Sequence, residues 1–360
     1  MRPPLAPEAK PKKFRTCESR ISQLQITKHN HTMKKLFIAL SLIFSISALA
    51  QPKERKGITN PWAHDPVMIK DNGIYYVFST GWNIGVMTST DLKTWDIQKP
   101  ALGETPAWAK NSIKEYTGHT WAPDIVKHNG KYHLFYSCSA FGKNTSAIGH
   151  AVADTLNPDS TKWRDTGCVI RSIPGETDWN AIDPAVNFDE KGNAWMTWGS
   201  FWGGIQLVQL NKDLTAPRFG AEQKTIAKRR QAPDVLESDT SSTHAIEAPF
   251  IFKHGGYYYL FVSWDFCCRG EKSTYRVVVG RSKTINGDYK DKEGRKMTEG
   301  GGTPVCFRSD RYVASGHCSA YTFDGKDYFL CHGYLRGEKG SELIVREMKW
   351  DKNGWPIVNL

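Results

Sequence analysis

An all-β fold, a five-bladed β-propeller, is what this sequence predicts, and three observations carry the prediction. A unit built of a polar step, a tight turn and an aromatic-rich strand recurs five times. Each unit spans about 60 residues, room for the three or four strands of one blade. No stretch beyond residue 50 sustains a 3.6-residue apolar period long enough for a major helix. A β-sandwich or a two-domain all-β chain would house the strands but would not explain an ionisable residue opening every repeat.

The units follow in order. The first opens at His64-Asp65-Pro66, turns at Asp71-Asn72-Gly73 and enters Ile74-Tyr75-Tyr76-Val77-Phe78. The second has Ala122-Pro123-Asp124, the turn His128-Asn129-Gly130 and a strand at 131–136. The third has Ile182-Asp183-Pro184, the turn Glu190-Lys191-Gly192-Asn193 and a strand at 194–198. The fourth has Glu247-Ala248-Pro249, the turn His254-Gly255-Gly256 and Tyr257-Tyr258-Tyr259-Leu260-Phe261. The fifth has Gly316-His317-Cys318, the turn Asp324-Gly325 and a strand at 327–331. Asn-Gly, Asp-Gly and Gly-Gly supply the positive φ of tight hairpins, and the β-branched and aromatic runs suit strands. A further run closes most units, at 84–89, 205–210 and 276–280.

The N-terminus reads separately. Met33 precedes Lys34 and Lys35, an apolar run at 36–49 and the small-x-small signal Ala48-Leu49-Ala50, so 33–50 is expected to be a secretory signal peptide. The polar, basic residues 1–32 read as an upstream over-extension of the reading frame or a leader, and 51–360 as one propeller domain. The apolar run is too short for a membrane anchor, and Gln51 rather than a cysteine directly follows the cleavage signal, so a secreted or periplasmic protein with no membrane contact after signal cleavage is expected, as is a monomer. Nine of the 48 Lys/Arg and two of the 37 Asp/Glu precede residue 51, which leaves 39 basic and 35 acidic side chains. The net charge of +11 thus falls to +4, and a nucleic-acid partner loses its support. Of eight cysteines, seven follow Cys17 at spacings that fit neither a disulfide framework nor a zinc site. The adjacent pair Cys267-Cys268 stands apart, as two thiols or as a ring holding an unusual turn.

The five steps issue one ionisable side chain each: Asp65, Asp124, Asp183, Glu247 and His317, spaced by 59, 59, 64 and 70 positions. In a propeller the starts of the innermost strands converge at one rim of the channel, so these groups should meet. Crowded, buried carboxyls cannot all ionise, and one protonated beside one ionised carboxyl is the equipment for cleaving a glycosidic bond. The alternative is that each acid only caps backbone amides where a strand starts. Thirteen tryptophans offer flat apolar faces for sugar rings or ordinary packing, with Trp62, Trp82, Trp121 and Trp202 near polar steps or in rim loops.

These motifs make the chain from 59 to 355 resemble glycoside hydrolase family 43, five-bladed arabinanases and xylosidases. Those that carry the resemblance are His64-Asp65-Pro66-Val67, Trp121-Ala122-Pro123-Asp124, Ala181-Ile182-Asp183-Pro184, Ile246-Glu247-Ala248-Pro249 and Ser315-Gly316-His317. With Trp264-Asp265-Phe266-Cys267-Cys268-Arg269-Gly270 they look most like its arabinan endo-1,5-α-L-arabinanase branch. The resemblance implies an inverting hydrolase acting within arabinan or arabino-oligosaccharides, with Asp65 as general base, Glu247 as general acid and Asp183 raising the pKa of Glu247 and orienting it. It places Asp124 beside the site and a hydrated calcium ion near His317, while Trp82, Trp121 and Trp202 are substrate-binding candidates by their nearness to the polar steps. An exo-acting α-L-arabinofuranosidase or β-xylosidase is the alternative within the fold, and a catalytically silent carbohydrate-binding propeller the alternative outside it. The loop at 95–121 and the stretch 216–244 are expected to shape the cleft.

Overall fold

Each predicted turn closes an antiparallel hairpin in the computed structural model of the chain, which describes residues 55–229 and 245–360. The expected leader, the signal peptide at 33–50 and part of the stretch 216–244 lie outside the described residues. Asn72, Asn129 and Asp324 have φ of 48°, 49° and 53°, each followed by a left-handed glycine, the pairing that lets two-residue turns match strand twist.

Blade one contains Val67–Asp71, Ile74–Ser79, Gly85–Ser89 and Asp96–Ile97 in that spatial order. Blade two contains His119–His128, Lys131–Cys138, Ala147–Ala153 and Arg164–Arg171, with the short Gly81–Trp82 strand on its inner edge. Blade three is Ala185–Phe188, Ala194–Trp198, Ile205–Gln209 and Lys224–Ala227, and blade four Ile246–His254, Tyr257–Trp264, Arg276–Ser282 and Thr303–Cys306. Blade five has three strands of its own, Tyr312–Phe323, Lys326–Leu335 and Ser341–Glu347. The chain start completes it: Trp62 bridges Glu342, the Leu343 N–H donates to the Pro61 carbonyl at 3.0 Å, and the Ser341 hydroxyl donates to Ala63 O at 2.7 Å. That seam joins first blade to last. The first strands of successive blades adjoin one another in a closed ring and line the channel.

The core is split into layers between blades rather than gathered in one place. Phe78, Leu134 and Tyr136 fill the layer between blades one and two, Leu207, Ile251 and Leu260 that between three and four, and Met68, Val77 and Leu330 that between five and one. Their flat aromatic and aliphatic faces hold neighbouring sheets together but do not fix the rim.

The rim is fixed by the polar steps. At each step one residue is left-handed: Asp65, Ala122, Asp183, Ala248 and His317, with φ of 54°, 42°, 59°, 56° and 51°. This residue is the true common position of the repeat. Asp124 falls two residues after it and Glu247 one before, which corrects the sequence reading that the five ionisable groups share one register. The sharp bend turns the amide of the left-handed residue toward the preceding blade. The Ala122 N–H donates to Thr80 Oγ1 at 2.8 Å, Asp183 N–H to Ser137 Oγ at 3.0 Å, His317 N–H to Ser263 Oγ at 2.8 Å, and Asp65 N–H to His332 Nδ1 at 3.1 Å.

Blade three is the exception. Gly199 occupies the place held elsewhere by Thr80, Ser137, Ser263 and His332: its N–H donates to Ile182 O at 2.9 Å as the Thr80 N–H does to His64 O. It has no side chain, and at φ 133° a Cβ would lie 2.6 Å from Gly204 O. The waiting Ala248 N–H is taken instead by Asp183 Oδ2 at 3.0 Å.

Ser137 and Ser263 are both fully buried, so their loss strands an amide donor with no water to serve it. Ser137→Ala and Ser263→Ala are each expected to lower unfolding free energy by about 1–3 kcal/mol, measured by urea denaturation.

Candidate active site

Asp65 sits where the closing segment enters the channel, and almost every group around it is basic or a donor. His64 Nδ1 and His317 Nδ1 each lie 2.9 Å from its Oδ1, and the Thr80 hydroxyl donates to Oδ2 at 2.5 Å. His64 Nδ1 makes no hydrogen bond at that distance. Burial by itself would raise the Asp65 pKa, but the charges of His317 and then His64 outweigh it and carry the carboxyl well below its usual range. Burial likewise opposes protonation of His317, yet Asp65, Asp183 and Glu247 together lift it to about 9. His317 is therefore an imidazolium at neutral pH, paired with an ionised Asp65.

Glu247 and Asp183 are buried without such a cation in contact among the described residues. Burial pushes the Glu247 carboxyl up, against the Ser200 hydroxyl that donates to its Oε2 at 2.8 Å and against Tyr275. Burial raises Asp183 to about 8; His317 opposes the rise and the nearby Glu247 adds to it. One carboxyl is thus held ionised and its two neighbours are held toward the protonated form in a single cluster. Tyr275 packs beneath it where Gly316 leaves space, since a Cβ at 316 would lie 2.1 Å from the ring.

Asp124 is not brought into this cluster. It is 1% exposed, and its Oδ2 accepts the Val186 N–H of blade three at 2.7 Å. Burial raises its pKa to about 7. The tryptophans take rim positions. Trp82 is 63% exposed, two residues beyond Thr80, and meets the His119 ring edge-on with centroids 5.5 Å apart. Trp121 donates its indole N–H to His119 Nδ1 at 3.0 Å. Trp202, 39% exposed, follows Ser200 by two residues. Two aromatic flanks, Trp82 with Trp121 and Trp202, therefore lie close in sequence to Thr80 and Ser200, the residues that donate to Asp65 and Glu247.

Thr80, Ser200, His64 and His332 were missed by the sequence reading. Thr80 and Ser200 end second strands in undistinguished Ser-Thr-Gly and Gly-Ser-Phe contexts, and nothing in the chain order announces what they reach. His64 stood inside the first polar step, and its adjacency to Asp65 was the available signal.

The calcium expected near His317 can be tested against the donors present. His317 commits Nδ1 to Asp65. Among the described residues, His64, Asp65 and His332 can bring three ligating atoms within 4.8 Å of one another, and two of these donors are imidazoles. Calcium takes about six to eight oxygens. These three do not make an all-protein calcium site; a hydrated ion near His317 would have its Nε2 to bind and would take its other ligands from water.

Comparison with known proteins gives a consistent result. The profile of "Glycosyl hydrolases family 43" matches residues 55–356. An extracellular exo-α-(1→5)-L-arabinofuranosidase of Cellvibrio japonicus is 49% identical over 300 residues, covering 82% of this chain and 86% of that protein. An extracellular endo-α-(1→5)-L-arabinanase of Bacillus subtilis is 38% identical over 324 residues, covering 89% and 94%. The crystal structure of an exo-1,5-α-L-arabinanase from a bovine ruminal metagenomic library superposes with a TM-score of 0.78 at 52% identity, covering 84% of this chain and 98% of that one.

The ion pair at the channel axis has a pH signature. His317 has its pKa raised from 6.5 to about 9, so the stability it contributes is complete below about pH 6.5 and is lost as pH rises through about 9. His317→Gln should therefore destabilise the protein more at pH 6 than at pH 10, read as the difference in urea unfolding free energy between variant and parent.

Proposed function

Because the chain belongs to glycosyl hydrolase family 43, we propose that it is an inverting hydrolase of α-1,5-linked L-arabinofuranosyl chains, acting outside the cytoplasm. The observation that carries this is the protonation split among three buried carboxyls of one cluster. A carbohydrate-binding propeller has no use for holding Asp65 ionised while Glu247 keeps its proton to higher pH. The signal-peptide pattern and the extracellular relatives support secretion.

In this reading Asp65 is the general base. Its oxygens accept from Thr80 and face two imidazoles, and the remaining lone pairs take a proton from water. Glu247 is the general acid. Ser200 donates to Oε2, so the proton to be given resides on Oε1. Water attacks the anomeric carbon from the face opposite the departing oxygen as the C–O bond breaks; Glu247 protonates that oxygen and Asp65 takes the proton of the water. Asp183 is tied to Glu247 twice: the two carboxyls repel each other when both are charged, and Asp183 holds the amide of Ala248, the next residue along the chain. Asp124 supports the site from behind by fixing the first strand of blade three. Trp82, Trp121 and Trp202 supply flat faces for pentose rings on either side.

Cleavage within the arabinan chain is the mode that the sequence motifs favour. A second reading, release from chain ends, is favoured by one observation: the relatives described as exo-acting are 49% and 52% identical, against 38% for the endo-acting one. Chromatography of products from linear α-1,5-arabinan separates the two, with a ladder of oligosaccharides at early times for internal cleavage and one short product throughout for end release.

Asp65→Asn and Glu247→Gln are each expected to lower kcat by about 10²- to 10⁴-fold while arabinan still retards the proteins in affinity electrophoresis. Unchanged activity in either would remove that residue from its role. Fresh product should show the inverted anomer by proton NMR. Asp183→Asn removes the neighbouring carboxyl that helps Glu247 keep its proton, so the basic limb of the kcat–pH profile should move to lower pH.

A further inference from the structure

The turn after the second strand of blade four holds a feature that the mechanism leaves unused. Cys267 and Cys268, adjacent in sequence, are joined by a disulfide. Around them Asp265, Cys268 and Gly270 are left-handed, with φ of 68°, 65° and 54°. Cys268 is exposed at the rim, yet its backbone points inward: its N–H donates to Tyr334 Oη at 2.8 Å, and its Sγ lies 3.8 Å from His64 Nε2.

Tyr334 Oη is a junction. It also meets His64 Nε2 at 2.8 Å and His332 Nε2 at 3.3 Å. Those imidazoles are stacked with centroids 4.0 Å apart, and both bear on Asp65 through their other nitrogens. His64 Nδ1 faces the carboxylate at 2.9 Å and His332 Nδ1 accepts the Asp65 N–H at 3.1 Å. A hydroxyl has one proton to give and two lone pairs, and four atoms gather on this one: the Cys268 amide, the two imidazole Nε2 atoms and Cys268 Sγ at 3.9 Å. Remove the amide and the hydroxyl is free to rotate, with nothing left to set how it divides itself between the two rings.

We propose that the Cys267–Cys268 disulfide ring is a positioning element for Asp65, holding the Cys268 amide on the Tyr334 hydroxyl so that His64 and His332 keep the carboxylate in its working orientation. The inference rests on Asp65 being the base. The ring is what such a task requires: a bond between adjacent residues restricts the backbone of both, and it locks Cys268 in a left-handed conformation that a free non-glycine residue rarely holds. Because the bond is exposed, it can be opened in the folded enzyme.

The test is to open it. A water-soluble phosphine cleaves the S–S bond, taking the oxygen of a water molecule while that water's two protons complete two thiols. Opening is confirmed by alkylation and mass of the peptide containing 267–268, and kcat and KM are measured separately on α-1,5-arabino-oligosaccharides. Reduction, and the Cys267→Ser/Cys268→Ser variant, should each lower kcat by about fivefold or more with KM within about twofold; reoxidation should restore the parent protein alone. Tyr334→Phe should lower kcat comparably, and reducing that variant should add little, because both changes cut the same connection. Confirmed reduction with kcat within about twofold overturns the proposal. So does a rise in KM alone, which would make the ring a sugar contact, and so does a Tyr334→Phe enzyme that loses activity on reduction as the parent does. Asp65→Asn is assayed alongside: if it is active, the assignment of the base has failed, whereas an inactive Asp65→Asn beside a parent insensitive to reduction refutes the ring's role by itself.

Discussion

Everything at the channel rim depends on one hydrogen bond repeated at blade boundaries: a left-handed residue at the head of each inner strand donates its amide to a side chain on the blade before. Apolar layers between sheets supply adhesion without direction, since stacked aromatic and aliphatic faces tolerate small slides. An amide buried without a partner costs about 1–3 kcal/mol, so a blade that slides loses its clasp and pays in the interior, where water cannot compensate. The clasp converts approximate packing into fixed positions for Asp65, Asp183, Glu247 and His317. At one boundary the fold has given the task to a functional group: glycine at 199 leaves the Ala248 amide to Asp183. The Asp183 carboxyl is thereby part of the frame that carries Glu247.

The chemistry follows from unequal company within equal burial. Asp65, Asp183 and Glu247 are all less than a tenth exposed, and burial alone would drive all three toward the neutral acid. The difference is where the positive charge stands. His317 meets Asp65 at contact distance and reaches the other two only through space, so it overrides desolvation at one carboxyl and merely moderates it at the others. A channel in which five inner strands converge makes this possible, because it brings ionisable groups from remote parts of the chain within each other's fields while excluding most of the solvent that would screen them.

Strands and turns were legible because both are local: Asn129-Gly130 can do little but turn, and Tyr257-Tyr258-Tyr259 between a glycine pair and a polar loop makes a strand. Convergence of Asp65, Asp183, Glu247 and His317 was legible because repetition turns sequence period into spatial proximity. Register was not, since it is defined by backbone conformation. Ala122 and Ala248 occupy the bend with no side chain to mark it, whereas Asp124 and Glu247, next to those bends, drew attention by their charge. The partners of the site were hidden for a different reason. Thr80 and Ser200 are ordinary hydroxyls whose meaning comes from a neighbouring step, and His64 meets Tyr334 across 270 positions of chain. A free choice of partner over such distances leaves no trace in composition or spacing.

Asp65 occupies the one place in the ring where the chain is not continuous. Boundaries one to two through four to five are crossed by the backbone itself, so their clasps are reinforced by connection. The boundary from five to one is held by the segment 61–63 laid against Ser341–Glu347, by the stack of His64 on His332, and by the Asp65 amide on His332. Asp65 follows this segment immediately. Fraying of the seam and displacement of Asp65 are therefore one event, and two imidazoles, a tyrosine hydroxyl and the amide of a disulfide-closed turn gather there. A propeller closed by non-covalent pairing needs a strong clasp at the seam, and here that clasp fixes Asp65 beside His317, the imidazole of blade five whose charge keeps the buried carboxylate ionised.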